Sequence, residues 1–151
     1  MALIDDIKVL SQAPVFSGLT EEALRLVAFG AEKKNLNPAQ VLFQEGAPAE
    51  SAYIVVSGRI AILASGRGRK PEPETYAGPG TLLSELALIT RVERKFTAVA
   101  EDDCEVMRIT RALFRRLIEE YPQVAEIVAD RIRENIAQLA AEAGAMRARF
   151  A

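Results

Sequence analysis

The chain reads as an α+β protein, mainly β: an antiparallel β-roll or jelly roll flanked by N-terminal helices and a long C-terminal helix. Three observations carry this expectation. Between residues 31 and 109, short apolar runs alternate with turn residues at close intervals, the pattern of many short strands folding into a closed double sheet. Ahead of that stretch, apolar residues recur at helical spacing. Beyond it the helical spacing returns and continues to the end.

The elements follow in order. Leu3 to Leu10 is apolar at 3, 4, 7 and 10 and predicts a short amphipathic helix, with Asp5 and Asp6 near its positive end. Pro14 to Leu19 connects it to a second helix, Glu21 to Phe29. Thr20 is the N-cap of that helix, Leu24, Val27 and Ala28 form its inner stripe, and Gly30 ends it. Seven strands are expected over 32–36, 41–44, 52–56, 59–64, 75–77, 95–100 and 105–109, separated by Asn, Asp, Gly and Pro turns. The basic tip 66–71 reads as a solvated hairpin end, or as a phosphate or partner contact.

Thr110 then caps Arg111 to Glu120, with Leu113, Leu117 and Ile118 inward, and Tyr121-Pro122 breaks it. The last helix carries apolar residues from Ala125 to Phe150 in steps of mainly three and four, a near-heptad seam. We read this seam as a homodimer pair through the C-terminal helix. Together these make one domain over 1–151: helices in 1–30, a β-roll in 31–109 and C-terminal helices in 110–151.

Composition narrows the function classes. The chain has no histidine, which excludes histidine-based acid/base and nucleophile systems and most zinc sites. One cysteine, Cys104, leaves no partner for an internal disulfide and no four-thiolate cluster, and it suits a reducing, cytoplasmic setting. No apolar run has transmembrane length, so no membrane segment is expected. The formal net charge of −2 gives no general attraction for nucleic acid. No acid/base pair or nucleophile set stands out, and the expectation is a protein that is not an enzyme, with no metal and no required cofactor.

The stretch Gly80 to Ala100 is where chemistry concentrates. A Gly-Pro-Gly turn precedes a short helical turn, Glu85 to Ile89, and Arg94 follows nine residues after Glu85. The first amides of a helix lack intrahelical acceptors and attract anions. A guanidinium can close over the same anion with a forked pair of hydrogen bonds. A carboxylate at that mouth suits a hydroxyl beside a phosphate. The combination fits a ligand carrying a phosphate and a sugar hydroxyl.

These residues resemble the phosphate-binding cassette of the cyclic-nucleotide-binding domain family, here over 80–97. The match runs through Pro79, Gly80, Leu83, Ser84, Glu85, Leu86, Ala87 and Leu88, then Arg94 and Thr97. Similarity extends from Val15 to about Ile118. The resemblance implies a β-roll with positive-φ glycines at Gly46, Gly58 and Gly80. It implies that Glu85 holds the ribose 2′-hydroxyl and Arg94 the cyclic phosphate. Leu83, Ser84, Leu86, Ala87, Lys95 and Thr97 complete the ligand set, with Arg131, Ile132 and Asn135 as a lid over the base. Cyclic AMP is the default ligand, since neither Thr nor Ser follows the arginine.

The match departs from the family pattern at four positions. Ser84 replaces a glycine: it either caps the turn, donates to the phosphate, or takes a left-handed conformation at a cost of ~1 kcal/mol. Lys95 adds a cation or crowds the base. Phe96 fills core or enters the sugar pocket. Glu93 replaces a proline and offers Arg94 a carboxylate. The expected function is a regulatory sensor module for a cyclic nucleotide, signalling through the C-terminal helices. The alternative is a ligand-free β-roll scaffold for dimerisation or partner docking. No DNA-binding domain is expected, because no helix-turn-helix segment follows the long helix.

Overall fold

A computed structural model describes residues 2–64, 72–131, 133 and 134. Two helices, α1 (Ala2–Gln12) and α2 (Glu21–Gly30), lead into ten strands. These are β1 (Glu32–Leu36), β2 (Val41–Phe43), β3 (Pro48–Ala49), β4 (Ser51–Ser57), β5 (Ile60–Ala64), β6 (Glu72–Ala77), β7 (Leu82–Leu83), β8 (Val92–Glu93), β9 (Thr97–Ala100) and β10 (Cys104–Thr110). A 3-10 turn, Glu85–Leu88, lies between β7 and β8, and α3 (Arg111–Glu120) follows β10. Helical conformation resumes over residues 122–131.

The strands form two antiparallel four-stranded sheets, β1-β10-β4-β7 and β2-β9-β5-β6, with β3-β8 as a separate pair. This is the expected β-roll, mainly β with flanking helices. Its layering explains why β4, Ser-Ala-Tyr-Ile-Val-Val-Ser, is apolar on both faces. Tyr53 and Val55 point into the space between the sheets, where they meet Phe43, Ile60, Ile62 and Ala98. Ala52 and Ile54 point the other way, onto Phe16, Leu24, Phe114 and Leu117 of the helical layer. Strand periodicity sends alternate residues to the two cores. At β10 a bulge between Glu105 and Val106 shifts the register against β4, with Val106 opposite Val55.

Both helix caps are where the sequence places them. The Thr20 hydroxyl accepts from the Ala23 amide, and the Thr110 hydroxyl from the Leu113 amide. Gly46, Gly58 and Gly80 have φ of +88°, +84° and +89°.

Several boundaries differ from expectation. The strand expected from Lys95 begins at Thr97. The Arg94 backbone is engaged elsewhere, donating to the Ala47 carbonyl and accepting from Gly46, and the chain bends at Lys95 and Phe96 before pairing with β5. β3, β7 and β8 escape the sequence reading because two residues contain no period. Gly30 is not a left-handed cap: Ala31 after it is extended, and a Cβ at Gly30 would lie 2.3 Å from Leu113 Cδ1. It is small so that α2 and α3 can approach.

Of the first seam positions, Ala125 is half-buried and Val128 is buried in the helical core, together with Val124, which lies outside the seam. From Ile132 onward, its apolar positions lie outside the described residues. So does the basic tip 66–71. Among the described residues, no helix is long and apolar enough to cross a membrane. None of their His, Cys, Asp and Glu residues group into a metal-binding cluster.

Candidate functional site

The turn at Ser84 is built by register. β4 pairs with β7 so that Tyr53 lies opposite Leu83 and Ile54 opposite Leu82. The next residue, Ser84, takes φ 63° and ψ 45°, a left-handed conformation, and its side chain makes no capping hydrogen bond. Of the options open at this position, the left-handed one is realised and the N-cap is not. The Ala87 amide returns to the Ser84 carbonyl at 3.0 Å, closing the 3-10 turn. A left-handed residue followed by helical ones forms a concave backbone nest whose N–H groups favour an anion. Strain of this kind persists where the surroundings over-determine it: Leu83, Ala87 and Leu88 on either side are buried. Glu85 opens the turn and is half-buried, as is Leu86, which packs against the helical core.

Arg94 is the other half of the site. Its side chain is nearly buried, at 6% exposure. One guanidinium nitrogen donates to the Ser51 carbonyl at 2.7 Å and another to the Ser51 hydroxyl at 3.4 Å. The guanidinium carbon lies 4.4 Å from the centre of the Phe43 ring and 5.5 Å from that of Tyr53. Among the described residues no carboxylate pairs with it, so Glu93 does not hold it as the sequence allowed. Burial pulls its pKa below the ordinary arginine value. Tyr53 acts in the opposite direction, and the nearby charge of Arg108 lowers it further. An arginine remains protonated under such a shift. The result is a desolvated cation supported by neutral oxygens and aromatic faces, with spare donors for an anion.

Tyr53 is the residue common to both halves: it lies opposite Leu83 in the sheet, and its ring centre is 5.5 Å from the Arg94 guanidinium carbon. Phe96 fills core rather than standing alone: its ring lies 5.4 Å from that of Phe43, tilted against it. Lys95 is exposed. The Thr97 hydroxyl accepts from the Glu45 amide at 2.9 Å, tying β9 to the β2–β3 connection. Of the expected lid, Ile132 and Asn135 lie outside the described residues. Arg131 donates to the Pro14 carbonyl and the Ser17 hydroxyl, in the loop between α1 and α2, and not to the cassette.

Three residues of this site escaped the sequence reading: Ser51, Phe43 and Tyr53. None is close to Arg94 in the chain, and no periodicity links them. Only strand pairing brings them together.

Comparison with known proteins adds three findings. A family model described as the cyclic nucleotide-binding domain matches residues 33–121. Among curated relatives, lysophospholipase NTE1 of Chaetomium globosum is 29% identical over 131 residues, which is 84% of this chain and 9% of that protein. Among solved structures, a cyclic nucleotide-binding-like protein from Brucella abortus is 43% identical, with a TM-score of 0.70 over 76% of this chain and 98% of that one. The regulatory domain of Toxoplasma gondii PKA, crystallised with cAMP, is 26% identical, with a TM-score of 0.71 over 76% of this chain and 44% of that one.

The relatives correct one expectation. The absence of a catalytic residue set argued against an enzyme, yet the curated relatives include lysophospholipases, which are enzymes. The chain spans only about 9% of their length. A residue census of so small a portion does not exclude an enzyme.

Proposed function

The chain belongs to the cyclic nucleotide-binding domain family, and from that premise we propose that it is a regulatory module that binds cyclic AMP. The observation that carries the proposal is the buried Arg94 guanidinium, without a carboxylate partner among the described residues, lying 5.5 Å from the ring of Tyr53, whose strand partner Leu83 immediately precedes the left-handed Ser84. A cyclic phosphate seated between them receives the spare N–H donors of the arginine and the backbone nest. In this reading Glu85 takes the ribose 2′-hydroxyl, and Leu83, Leu86 and Ala87 line the pocket around it. Lys95 and Thr97 flank the phosphate side. Cyclic AMP is preferred over cyclic GMP because Lys95 stands where a hydroxyl-bearing residue would favour guanine. The co-crystal of the Toxoplasma gondii PKA regulatory domain with cAMP supports the ligand class.

Binding draws the turn inward and shifts α3 and the helix after it. A ligand moves that equilibrium only by its differential affinity for the two states. The module works in a cytoplasmic, reducing setting, consistent with a free and buried Cys104. The seam beyond Ile132 pairs two copies in a homodimer. Isothermal titration with cyclic AMP and cyclic GMP, run alongside thermal shift, tests the proposal. A ligand that binds only the folded state raises its stability. If millimolar cyclic AMP gives neither heat nor shift, the proposal fails. Arg94 then serves only its bond to Ser51, and the β-roll is a scaffold.

A further inference from the structure

Arg111 is the first residue of α3, and its side chain is spent on three backbone carbonyls. Its Nε donates to the Ala87 carbonyl at 2.8 Å. One terminal nitrogen donates to the Ala49 carbonyl at 2.8 Å and to the Thr90 carbonyl at 2.9 Å. Its own amide donates to the Glu50 carbonyl at 3.0 Å. A single residue therefore joins the end of the 3-10 turn, the linker after it, the β3–β4 connection and the start of a helix. The carbonyls at the end of a helical turn have no intrahelical donor, and a cation there also matches the dipole. No carboxylate among the described residues shares Arg111, so all its observed bonds serve backbone position.

The contact is both polar and apolar. Leu88, the last residue of the turn, is buried in the same core as Phe114 and Leu117 of α3. Close-packed groups transmit displacement instead of absorbing it. Ser84 at one end of the turn and the arginine-bound Ala87 and Thr90 at the other belong to one short segment closed by backbone hydrogen bonds from Ala87 to Ser84 and from Thr90 to Leu86. α3 in turn leads through Tyr121 to the helix bearing Val124 and Val128.

We propose that Arg111 is a positioning residue that locks the anion-binding turn to α3, so that the two move as one body. It sets the turn for ligand from behind and carries the turn's displacement to the C-terminal helices. The ligand half of this inference rests on the reading of Ser84 and Arg94 as a cyclic nucleotide site; the coupling half does not. The geometry requires a planar fork reaching acceptors in several directions, which a lysine ammonium reproduces only in part.

Hydrogen exchange by mass spectrometry on the ligand-free protein tests the coupling without any nucleotide. The variants are Arg111→Gln and Arg111→Lys, with Arg116→Gln as a surface control. Arg111→Gln is expected to raise exchange by about tenfold over 85–90 and over the first turn of α3 together, with β4 and β10 unchanged. Arg111→Lys should fall between it and the parent. Uniform acceleration across the chain, or acceleration of α3 with the turn unaffected, would overturn the proposal. Cyclic AMP titration of the same variants reads the second half. With a binding parent, Arg111→Gln should weaken affinity about tenfold, and unchanged affinity would refute the positioning role. A parent that does not bind removes the nucleotide reading, while the exchange pattern still decides the coupling.

Discussion

The Arg94 guanidinium carbon lies 4.4 Å from the centre of the Phe43 ring, with its nitrogens turned to Ser51. A cation held this way has lost most of its water and gained only neutral partners, and the downward pull of burial on its pKa reflects that. Such a group gains little stability from its charge.

Arg94→Met separates the two roles. Replacing a buried charge by an apolar side chain of similar length is often neutral or stabilising. The opposing cost is the Ser51 carbonyl left without its donor, ~1–3 kcal/mol. The unfolding free energy obtained from urea titration should therefore change by less than ~2 kcal/mol in either direction. Cyclic AMP affinity should fall at least ~30-fold, since removing one side of a buried charged contact costs ~2–5 kcal/mol. Calorimetry and urea titration of one preparation measure both.

Ser84→Gly should stabilise the protein by up to ~1 kcal/mol, the left-handed penalty that glycine does not carry. The nest is made of backbone, so cyclic AMP affinity should stay within about threefold of the parent. Ser84→Val should destabilise, because a β-branched residue at φ 63° is a true outlier. Urea midpoints of the three proteins rank them.

Two glycines should differ in what alanine costs. At Gly58 a Cβ would lie 2.4 Å from the Asp103 carbonyl oxygen and 2.6 Å from Cys104 Sγ, with φ at +84°. Nothing there yields easily, and Gly58→Ala should cost ~2 kcal/mol or more. At Gly30 the close atom is the tip of the Leu113 side chain, and φ is not left-handed. Leu113 can rotate, so Gly30→Ala should cost ~1 kcal/mol or less, helped by the better helix propensity of alanine. Thermal unfolding distinguishes the two.

The Cys104 thiol is buried against the Arg59 and Asp102 carbonyls, and burial, followed by its hydrogen bond to the Asp102 carboxylate, pushes its pKa up. In the unfolded chain it ionises near ~8.5. Below that pH both states hold the proton and stability is unaffected. Above it, the unfolded state loses the proton first, so stability falls with rising pH up to the folded pKa. Unfolding midpoints of the parent should therefore drop more steeply between pH 8.5 and 10 than those of Cys104→Ala. Equal slopes would show that the thiol titrates alike in both states.

Much of the fold is legible in the chain because its signals are local. Thr20 and Thr110 stand immediately before amphipathic runs, and both cap. Gly46, Gly58 and Gly80 sit between apolar segments, and all three take positive φ. The strand run Ala52 to Val56 is apolar throughout, and Ala52 to Val55 are buried on both faces. Gly30 misled because a helix-terminal glycine has two uses, a left-handed cap and a close approach, and the sequence does not say which. Arg111 looked like one more first-turn residue, since three carbonyls carry no side-chain signature.

The sequence by itself determined the β-roll, its caps and turns, and the segment in which a phosphate site would be sought, since each depends on residues near one another in the chain. Only the tertiary structure decided what surrounds Arg94, that Ser84 is left-handed instead of capping, and that Val124 and Val128 are spent inside the chain. Those outcomes turn on strand register and on contacts between residues far apart in sequence, such as Ser51 with Arg94 and Ala87 with Arg111. Local spacing carries no record of such contacts.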